Sequence, residues 1–262
     1  DVGSSSVKAA LVEAKSGKSI QSVHEPKNEM SISSLKNDWA EQDPNVWWKY
    51  TCTAIKRVCK ESNIDPKKII SIGISYQMHG LVIVDKNGEP LRDSIIWCDS
   101  RAVNIGNDAY EKLGEDKCMS HLLNSPGNFT ASKLKWVKEN EPEVYEKIYK
   151  YMLPGDFIAY KLSGEINTTR NGLSEGIIWD YKNNEIANWL LDFYGINPNL
   201  TPDLVDNFTN QGATNSKSSK ETGLNIGIPI TYRAGDQPNN ALALNVFDNG
   251  EVAASGGTSG VI

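Results

Sequence analysis

The sequence predicts an α/β domain in which helices flank a mixed β-sheet. Two strand-like apolar runs at positions 7–13 and 19–24 are separated by a short turn, the pattern of an antiparallel hairpin. A buried strand-like run at 69–75 precedes a largely helical middle, and another at 228–233 runs directly into a helix. Strands followed by helices in this order indicate an α/β domain whose sheet contains antiparallel strands.

The first long helix is predicted from Pro44 to about Ser62. Asp43 is a good N-cap residue, and proline is favoured at the first helical position. At helical spacing, one face carries Trp47, Tyr50, Ala54, Val58 and Cys59. We expect that face to pack against the sheet.

Further strands are predicted at positions 81–84 and 95–97, and the turn-rich residues 85–88 follow the first of them. The chain from 101 to 200 is expected to be mainly helical. Its candidate helices are 132–140, 142–149, 157–162 and 185–194.

The last third of the chain alternates polar and apolar segments. The Ser- and Lys-rich stretch 211–222 is expected to be an exposed loop or a short insertion. A turn at Gly235 and Asp236 precedes a helix predicted at 238–244, and a final strand is expected at 251–255.

Charge and composition exclude several classes of partner. The chain has 27 Lys and Arg against 33 Asp and Glu, a net charge of −6, which argues against nucleic acid. No apolar run approaches the roughly 20 residues that span a bilayer, so no membrane partner is expected. The four cysteines lack the spacing of a metal site or a disulfide framework, which predicts a reducing, cytoplasmic location.

Loops of small residues lie near both ends of the chain. The first is led by Asp1, includes Ser4 and Ser5, and is followed by Lys8; the second covers 256–260. Such turns expose backbone N–H groups that bind phosphate, and an Asp can hold Mg²⁺ through water. The pair predicts a clamp for the phosphates of a nucleotide; a plain β-turn is the alternative for the first loop. The chain begins without Met, and we expect strand residues to precede Asp1.

Two further sites carry polar groups at the ends of predicted strands. Gln77, Met78 and His79 follow a buried strand, where α/β proteins commonly present ligand-binding groups, and Gly80 allows close approach. Asp236 lies at the start of a helix, where a carboxylate can accept a proton from a substrate hydroxyl. Helix capping alone would also explain an Asp at that position.

These features occur in an order that resembles the N-terminal part of the FGGY carbohydrate kinases. The matching segments are DVGSSSVK at 1–8, WAEQDP at 39–44 with Trp47 and Trp48, QMHG at 77–80, IWCDSR at 96–101, KLKWVKEN at 133–140, GD at 235–236 and GTSG at 257–260. They span nearly the whole chain, and the Met-His pair is the most specific to family members that phosphorylate D-xylulose. The resemblance implies an actin-like, ribonuclease H-like fold with sugar deep in a cleft between two domains and ATP held mostly by the second.

The resemblance also implies roles for individual residues. The activity would be ATP-dependent phosphorylation of a ketose, D-xylulose to D-xylulose 5-phosphate, with Mg²⁺, in an enzyme that could be a homodimer. Asp236 would be the general base that takes the proton of the attacking hydroxyl. The implied sugar-binding residues are Gln77, Met78, His79, Asn128, Asp236 and Gln237. The implied phosphate-binding residues are Ser4, Ser5, Lys8 and Thr258, and Asp1 would lie near Mg²⁺.

The same resemblance divides the chain. Residues 1–248 would form the sugar-binding domain and 249–262 the start of a nucleotide-binding domain, so the chain alone is expected to be inactive. Gln237 stands where the D-xylulose kinases often carry Asn, and Asn128 where the family signature has a small or aromatic residue. The alternatives are therefore a kinase for ribulose, fuculose, gluconate or glycerol, a non-catalytic sugar-binding module, or an actin-like polymerising protein.

Overall fold

The computed structural model describes residues 1–256 and 260–261. Its strands are β1 Val7–Val12, β2 Ser19–Glu25, β3 Glu41–Gln42, β4 Ile72–Tyr76, β5 Val82–Val84, β6 Ser94–Ile95, β7 Lys150–Met152, β8 Asn167–Thr169, β9 Trp179–Asp180, β10 Glu185–Ile186, β11 Asp203–Val205, β12 Ile230–Gly235, β13 Ser255–Gly256 and β14 Gly260–Val261. Its α-helices are α1 Pro44–Ser62, α2 Val103–Leu113, α3 Glu115–His121, α4 Thr130–Asn140, α5 Pro142–Tyr145, α6 Pro154–Ser163, α7 Arg170–Glu175, α8 Asn188–Tyr194, α9 Ser216–Thr222 and α10 Asp236–Ala243. None of the helices described is both long and apolar enough to cross a membrane.

The main sheet is mixed, as the sequence predicts. β1 and β2 pair antiparallel, and β4 and β12 pair parallel. Val2 joins the two pairs, because it bridges Val7 in the antiparallel sense and Tyr76 in the parallel sense. The resulting order is β2, β1, Val2, β4, β12. Between β1 and β4 lies a cavity of about 180 Å³ whose wall includes Leu11 and Ile74.

A first hydrophobic core lies between the sheet and two helices. α1 begins where predicted, because the carboxylate of Asp43 accepts the backbone N–H of Asn45 at 2.8 Å. Trp47 and Val58 of α1 and Phe157 of α6 are buried in this core. Burying such side chains stabilises the fold by roughly 1.5–3 kcal/mol each.

A second core forms around α4, whose Leu134 and Val137 are buried against Leu190 and Leu191 of α8. Beside it, the Arg101 guanidinium packs against the rings of Trp39 and Trp136, 3.8 and 4.8 Å from their centroids. Its charge is balanced by Asp99 at 2.7 Å and Glu41 at 2.6 Å.

The structure shifts three of the predicted strands. β4 covers Ile72–Tyr76 rather than 69–75, because its pairing with β12 begins at Ile72. β6 ends at Ile95, and Trp97 lies in a turn closed by the backbone N–H of Asp99, which donates to Ile96 O at 3.2 Å. The strand predicted at 251–255 is wrong for 251–254, which form no strand.

Several helix boundaries also differ from the prediction. The helices predicted at 132–140 and 157–162 are confirmed as α4 and α6. The helix predicted at 142–149 ends at Tyr145, before β7. The helix predicted at 185–194 is wrong at its start, because Glu185 and Ile186 pair with β9 as β10. α10 begins at Asp236 rather than after a turn.

The prediction of an exposed loop at 211–222 is wrong. Residues 216–222 form α9, because the side chain of Asn215 accepts the backbone N–H groups of Lys217 and Ser218 and so caps the helix. Gln211, Thr214 and Ser218 are buried. The amide Nε2 of Gln211 and the hydroxyls of Thr214 and Ser218 donate internal hydrogen bonds. The polar composition of this segment therefore did not mean that it is exposed.

Candidate functional site

Three strand ends meet at one edge of the main sheet. Gly235 of β12 pairs with Tyr76 of β4 in parallel register, and Val2 bridges Tyr76 in the same direction. The segments that follow, beginning at Gly3, Gln77 and Asp236, therefore leave the sheet side by side. In α/β sheets this carboxyl edge is where ligands bind.

A cleft of about 450 Å³ opens between these segments. Its walls are formed by Asp1, Gly3, Ser4, Ser5, Ser6, Lys8, Gln77, Met78, His79, Trp97, Asp236 and Gln237. The fold thus brings together residues that the sequence assigned separately to phosphate, to sugar and to proton transfer.

Gln77 is buried in this cleft and has unsatisfied polar groups. The residue is 4 % exposed, and within the described chain neither its Oε1 nor its Nε2 has a hydrogen-bond partner. Leaving a buried amide without partners costs roughly 1–3 kcal/mol. A ligand that offers both a donor and an acceptor would remove that cost.

Close backbone approach shapes the wall on either side of Met78. A Cβ on Gly80 would lie 2.6 Å from Cγ of Pro154, so the side chain of this proline packs closely against the glycine. A Cβ on Gly235 would lie 2.4 Å from Cγ of Met78. The absence of a side chain lets Gly80 approach the start of α6 and lets Gly235 approach Met78.

His79 is held in a defined orientation. Its ring packs edge-on against Phe129, with centroids 4.5 Å apart, and its Nδ1 is 2.8 Å from the carbonyl oxygen of Glu175. Burial lowers the pKa of the imidazole to about 4, and the charge of Lys133 acts in the same direction. The ring is therefore neutral at pH 7.

Asp236 is the first residue of α10, and it is partly buried. Burial raises the pKa of its carboxyl, while the backbone N–H groups of Gln237 and of Asp236 itself and the charge of Lys8 oppose that rise. A raised pKa brings a carboxylate closer to the range in which it accepts protons effectively at neutral pH.

Polar contacts link the first loop to the rest of the cleft. The ammonium of Lys8 lies 3.1 Å from the carboxylate of Asp1. The indole N–H of Trp97 donates to the hydroxyl of Ser4 at 3.1 Å, although the Trp97 residue is 52 % exposed. The Gly3 N–H is bound to Ser6 O, so this one amide is not available to phosphate.

Two of the expected site residues do not contribute to the described cleft. Asn128 is not among its lining residues; its amide donates to Asp99 O and accepts the Ala102 N–H, which holds that loop in place. Thr258 lies outside the described residues.

Three residues of the site were not predicted from the sequence. Trp97 was expected to end a strand, Lys133 to lie in an ordinary helix, and Glu175 carried no prediction. Lys133 and Glu175 are buried ionisable residues just behind the cleft. The signal available for Lys133 was its place at the start of the matching segment 133–140.

The described side chains contain no group of three or more His, Cys, Asp or Glu arranged to hold a metal ion. Mg²⁺ in phosphate-transfer sites is typically bound by one or two carboxylates, several waters and the substrate's phosphates. The Asp1 carboxylate at the rim of the cleft fits such a site. The ammonium of Lys8 lies beside it, so the bound ion and Lys8 would both interact with this carboxylate.

Comparison with known proteins assigns the family. The model for the "FGGY family of carbohydrate kinases, N-terminal domain" matches residues 1–243. The chain is 30% identical over 262 residues to a xylulose kinase of Staphylococcus xylosus, covering 100% of this chain and 53% of that protein. Among solved structures, it is similar to a xylulose kinase from Rhodospirillum rubrum, with a TM-score of 0.90, 24% identity and coverage of 99% and 52%. A ligand-bound xylulose kinase from Lactobacillus acidophilus gives a TM-score of 0.87 at 25% identity, with coverage of 99% and 52%.

The chain therefore belongs to the FGGY family of carbohydrate kinases and has the actin-like fold of that family. The fold and family expected from the sequence are confirmed. The chain spans about half the length of the curated relatives it matches.

Proposed function

We propose that this chain is the sugar-binding part of a kinase that transfers phosphate from ATP to a ketose, converting D-xylulose to D-xylulose 5-phosphate. The observation that carries the proposal is Gln77, which lines the cleft and whose two buried amide atoms have no hydrogen-bond partner within the described chain. Sugar hydroxyls donate and accept hydrogen bonds, and they match that requirement. The names of the similar proteins support D-xylulose as the ketose.

Asp236 acts as the general base in this proposal. Asp236 lines the same cleft as Gln77 and His79. The base accepts the proton as the hydroxyl attacks the γ-phosphate. Because phosphoryl transfer depends mainly on positioning and charge neutralisation, a well-placed carboxylate is sufficient.

The loop from Ser4 to Lys8 faces the phosphates. The hydroxyls of Ser4 and Ser5 offer donors, and Lys8 supplies a positive charge beside Asp236. Bound with ATP, Mg²⁺ would neutralise charge that develops on the phosphates. Asp1 would hold that ion through water. Such binding does not require a cluster of three or more His, Cys, Asp or Glu side chains, and the described residues contain none.

The nucleotide would be held mainly by a C-terminal half like that of the relatives. Residues 1–248 are assigned to the sugar domain and 249–262, with Thr258, to the start of the nucleotide-binding domain. On this basis, the 262-residue chain binds ketose but shows no ATP-dependent turnover. Four thiols that form no disulfide, and the need for ATP, support a cytoplasmic location.

The proposal is tested by calorimetric titration of the chain with D-xylulose, D-ribulose, L-fuculose, gluconate and glycerol. D-Xylulose should bind most tightly, and Gln77→Leu should weaken its binding by about tenfold, because a paired amide is lost. Preference for another member of the panel would reassign the substrate within the family. No binding of any of them would overturn the sugar-binding assignment. Binding of D-xylulose together with no turnover by the full-length protein would indicate a non-catalytic module.

A further inference from the structure

His79 has an uncommon backbone conformation. Its φ is 61°, in the left-handed region that residues other than glycine rarely adopt. A residue held there costs free energy unless its surroundings determine the conformation. Three separate contacts from buried side chains and backbone supply that support.

The first two contacts come from Glu175, the last residue of α7. Its carboxyl Oε1 accepts the backbone N–H of His79 at 3.3 Å, and its carbonyl oxygen contacts Nδ1 of the ring at 2.8 Å. Glu175 is 6 % exposed and is not among the residues that line the cleft. Its two hydrogen bonds to His79 therefore support the cleft wall from behind.

Burial raises the pKa of Glu175 well above its usual value, and the charge of Asp156 and Asp236 acts in the same direction. Burial and these neighbouring charges therefore favour the protonated, uncharged form of the carboxyl. In this form the Glu175 carboxyl can accept the His79 N–H without adding a second negative charge near that of Asp236.

The third contact comes from Lys133 of α4, which is fully buried. Its Nζ donates to the carbonyl oxygens of His79 and Ile96, both at 2.9 Å. Ile96 directly precedes Trp97, another residue of the cleft wall. One ammonium group therefore fixes two segments of the wall relative to each other.

These contacts determine which ring nitrogen carries the proton. A carbonyl oxygen only accepts, so Nδ1 of His79 must carry the hydrogen in its contact with Glu175. In a neutral ring Nε2 then has a lone pair, and no described residue donates to it. Nε2 is left as an acceptor on a ring that lines the cleft.

We propose that Glu175 and Lys133 are positioning residues that clamp His79 in its Nδ1–H form, so that Nε2 accepts a hydrogen bond from a sugar hydroxyl. The sugar in this statement rests on the proposed function, whereas the clamp and the tautomer do not. A second consequence is selectivity. A ligand must present a hydroxyl donor to His79, and an ether or deoxy position there would leave Nε2 unpaired.

Nitrogen-15 NMR of the ligand-free chain tests the clamp without any sugar. Histidine-selective labelling gives three imidazoles, and His79→Gln identifies the signals of His79. We expect Nδ1 to resonate as a protonated nitrogen and Nε2 as an unprotonated one at pH 7. A protonated Nε2 on a neutral ring, or a doubly protonated ring, would overturn the proposal.

Variants then test the two positioning residues. Glu175→Leu removes the acceptor of the His79 backbone N–H but keeps the backbone carbonyl that binds Nδ1, and Lys133→Met removes the donor to the His79 carbonyl. Because each change releases the His79 backbone, each should weaken the Nδ1 contact, mix the tautomers of His79 and raise the Kd for D-xylulose by about tenfold. Glu175→Gln keeps a neutral acceptor and should stay within about threefold of the wild type. Lys135→Met, on the same helix but paired with Glu139 at the surface, is the matched control and should leave both readouts unchanged.

Unchanged tautomer and Kd in folded Glu175→Leu and Lys133→Met would overturn the clamp. If those variants do not fold, the wild-type spectrum and Glu175→Gln still decide it. Failure of D-xylulose to bind the wild-type chain would count against the proposed function alone, because the NMR result is independent of sugar.

Discussion

Gly235 lies directly opposite Tyr76 across the parallel pair of β12 and β4. The two strands therefore end level with each other, and Asp236 and Gln77 enter the cleft together. The arrangement depends on the missing side chain of Gly235, where a Cβ would lie 2.4 Å from Met78 Cγ and 2.5 Å from Glu175 Oε2.

Gly235→Ala should therefore disturb both stability and binding. We expect a loss of about 1–3 kcal/mol in the free energy of unfolding, because the added methyl overpacks the site. Displacement of Met78 should also weaken ketose binding by at least tenfold. Urea denaturation and calorimetry measure the two effects.

Gly73→Ala is the matched control in the neighbouring strand. Its added Cβ would meet only Tyr232 Cδ1, at 3.9 Å, which is ordinary contact. Equal behaviour of the two variants would show that the contacts around Gly235 are not what makes the position sensitive.

Asp236→Asn should abolish most turnover in the full-length kinase. Asparagine keeps the shape of the side chain but cannot accept the proton, so kcat should fall by on the order of 10²-fold or more. The Kd for D-xylulose should change by less than about threefold. Steady-state kinetics and calorimetry separate the two quantities.

Asp43→Asn is the control for a helix-starting aspartate, since Asp43 caps α1 outside the cleft. It should leave turnover nearly unchanged. Near-normal turnover in Asp236→Asn would show that Asp236 only stabilises the N-terminus of α10 and is not the general base.

The buried imidazole of His79 should make stability depend on pH. Its pKa is lowered from 6.5 to about 4, so between these values the unfolded chain binds a proton that the folded chain does not. Stability is therefore lost as the pH falls from about 6.5 to about 4. Over this range of pH the loss amounts to roughly 3 kcal/mol.

Urea denaturation at pH 7 and pH 4.5 measures this effect, and His79→Gln isolates it. The variant should lose less stability on acidification than the wild type, because the other groups, including Glu175 and Lys133, are common to both proteins. Equal losses would place the acid sensitivity elsewhere in the chain.

Arg101→Met should destabilise the second core severely. Its guanidinium is buried against Trp39 and Trp136, and removing it leaves Asp99 without its ion-pair partner and Glu41 with Arg92 alone. Breaking a buried ion pair in this way costs roughly 3–5 kcal/mol. Arg57→Met should change the unfolding midpoint far less, because the Arg57 ion pairs are partly exposed.

Local signals in the sequence were sufficient for elements whose stability is local. The hairpin of β1 and β2 and the capped helix α1 follow from alternation, turn residues and Asp43. The same local signals failed at α9, because Asn215, Thr214 and Ser218 satisfy their polar groups internally. Composition alone does not distinguish a polar side chain in solvent from one with a buried partner.

The sequence led us to expect eleven site residues. Nine of them line the cleft: Asp1, Ser4, Ser5, Lys8, Gln77, Met78, His79, Asp236 and Gln237. Asn128 does not line the cleft, because its amide is hydrogen-bonded to the backbone of Asp99 and Ala102. Whether each lining residue acts on sugar or phosphate stays a prediction for the experiments above.

By itself the sequence determined the α/β class, the family and most of the residues at the strand ends, because these depend on periodicity and short motifs. Only the tertiary structure decided that Glu175 and Lys133 lie behind His79, 96 and 54 positions away along the chain. The reason is physical. Which buried group meets which partner depends on how α4 and α7 pack against the sheet, and no local pattern of residues encodes that contact.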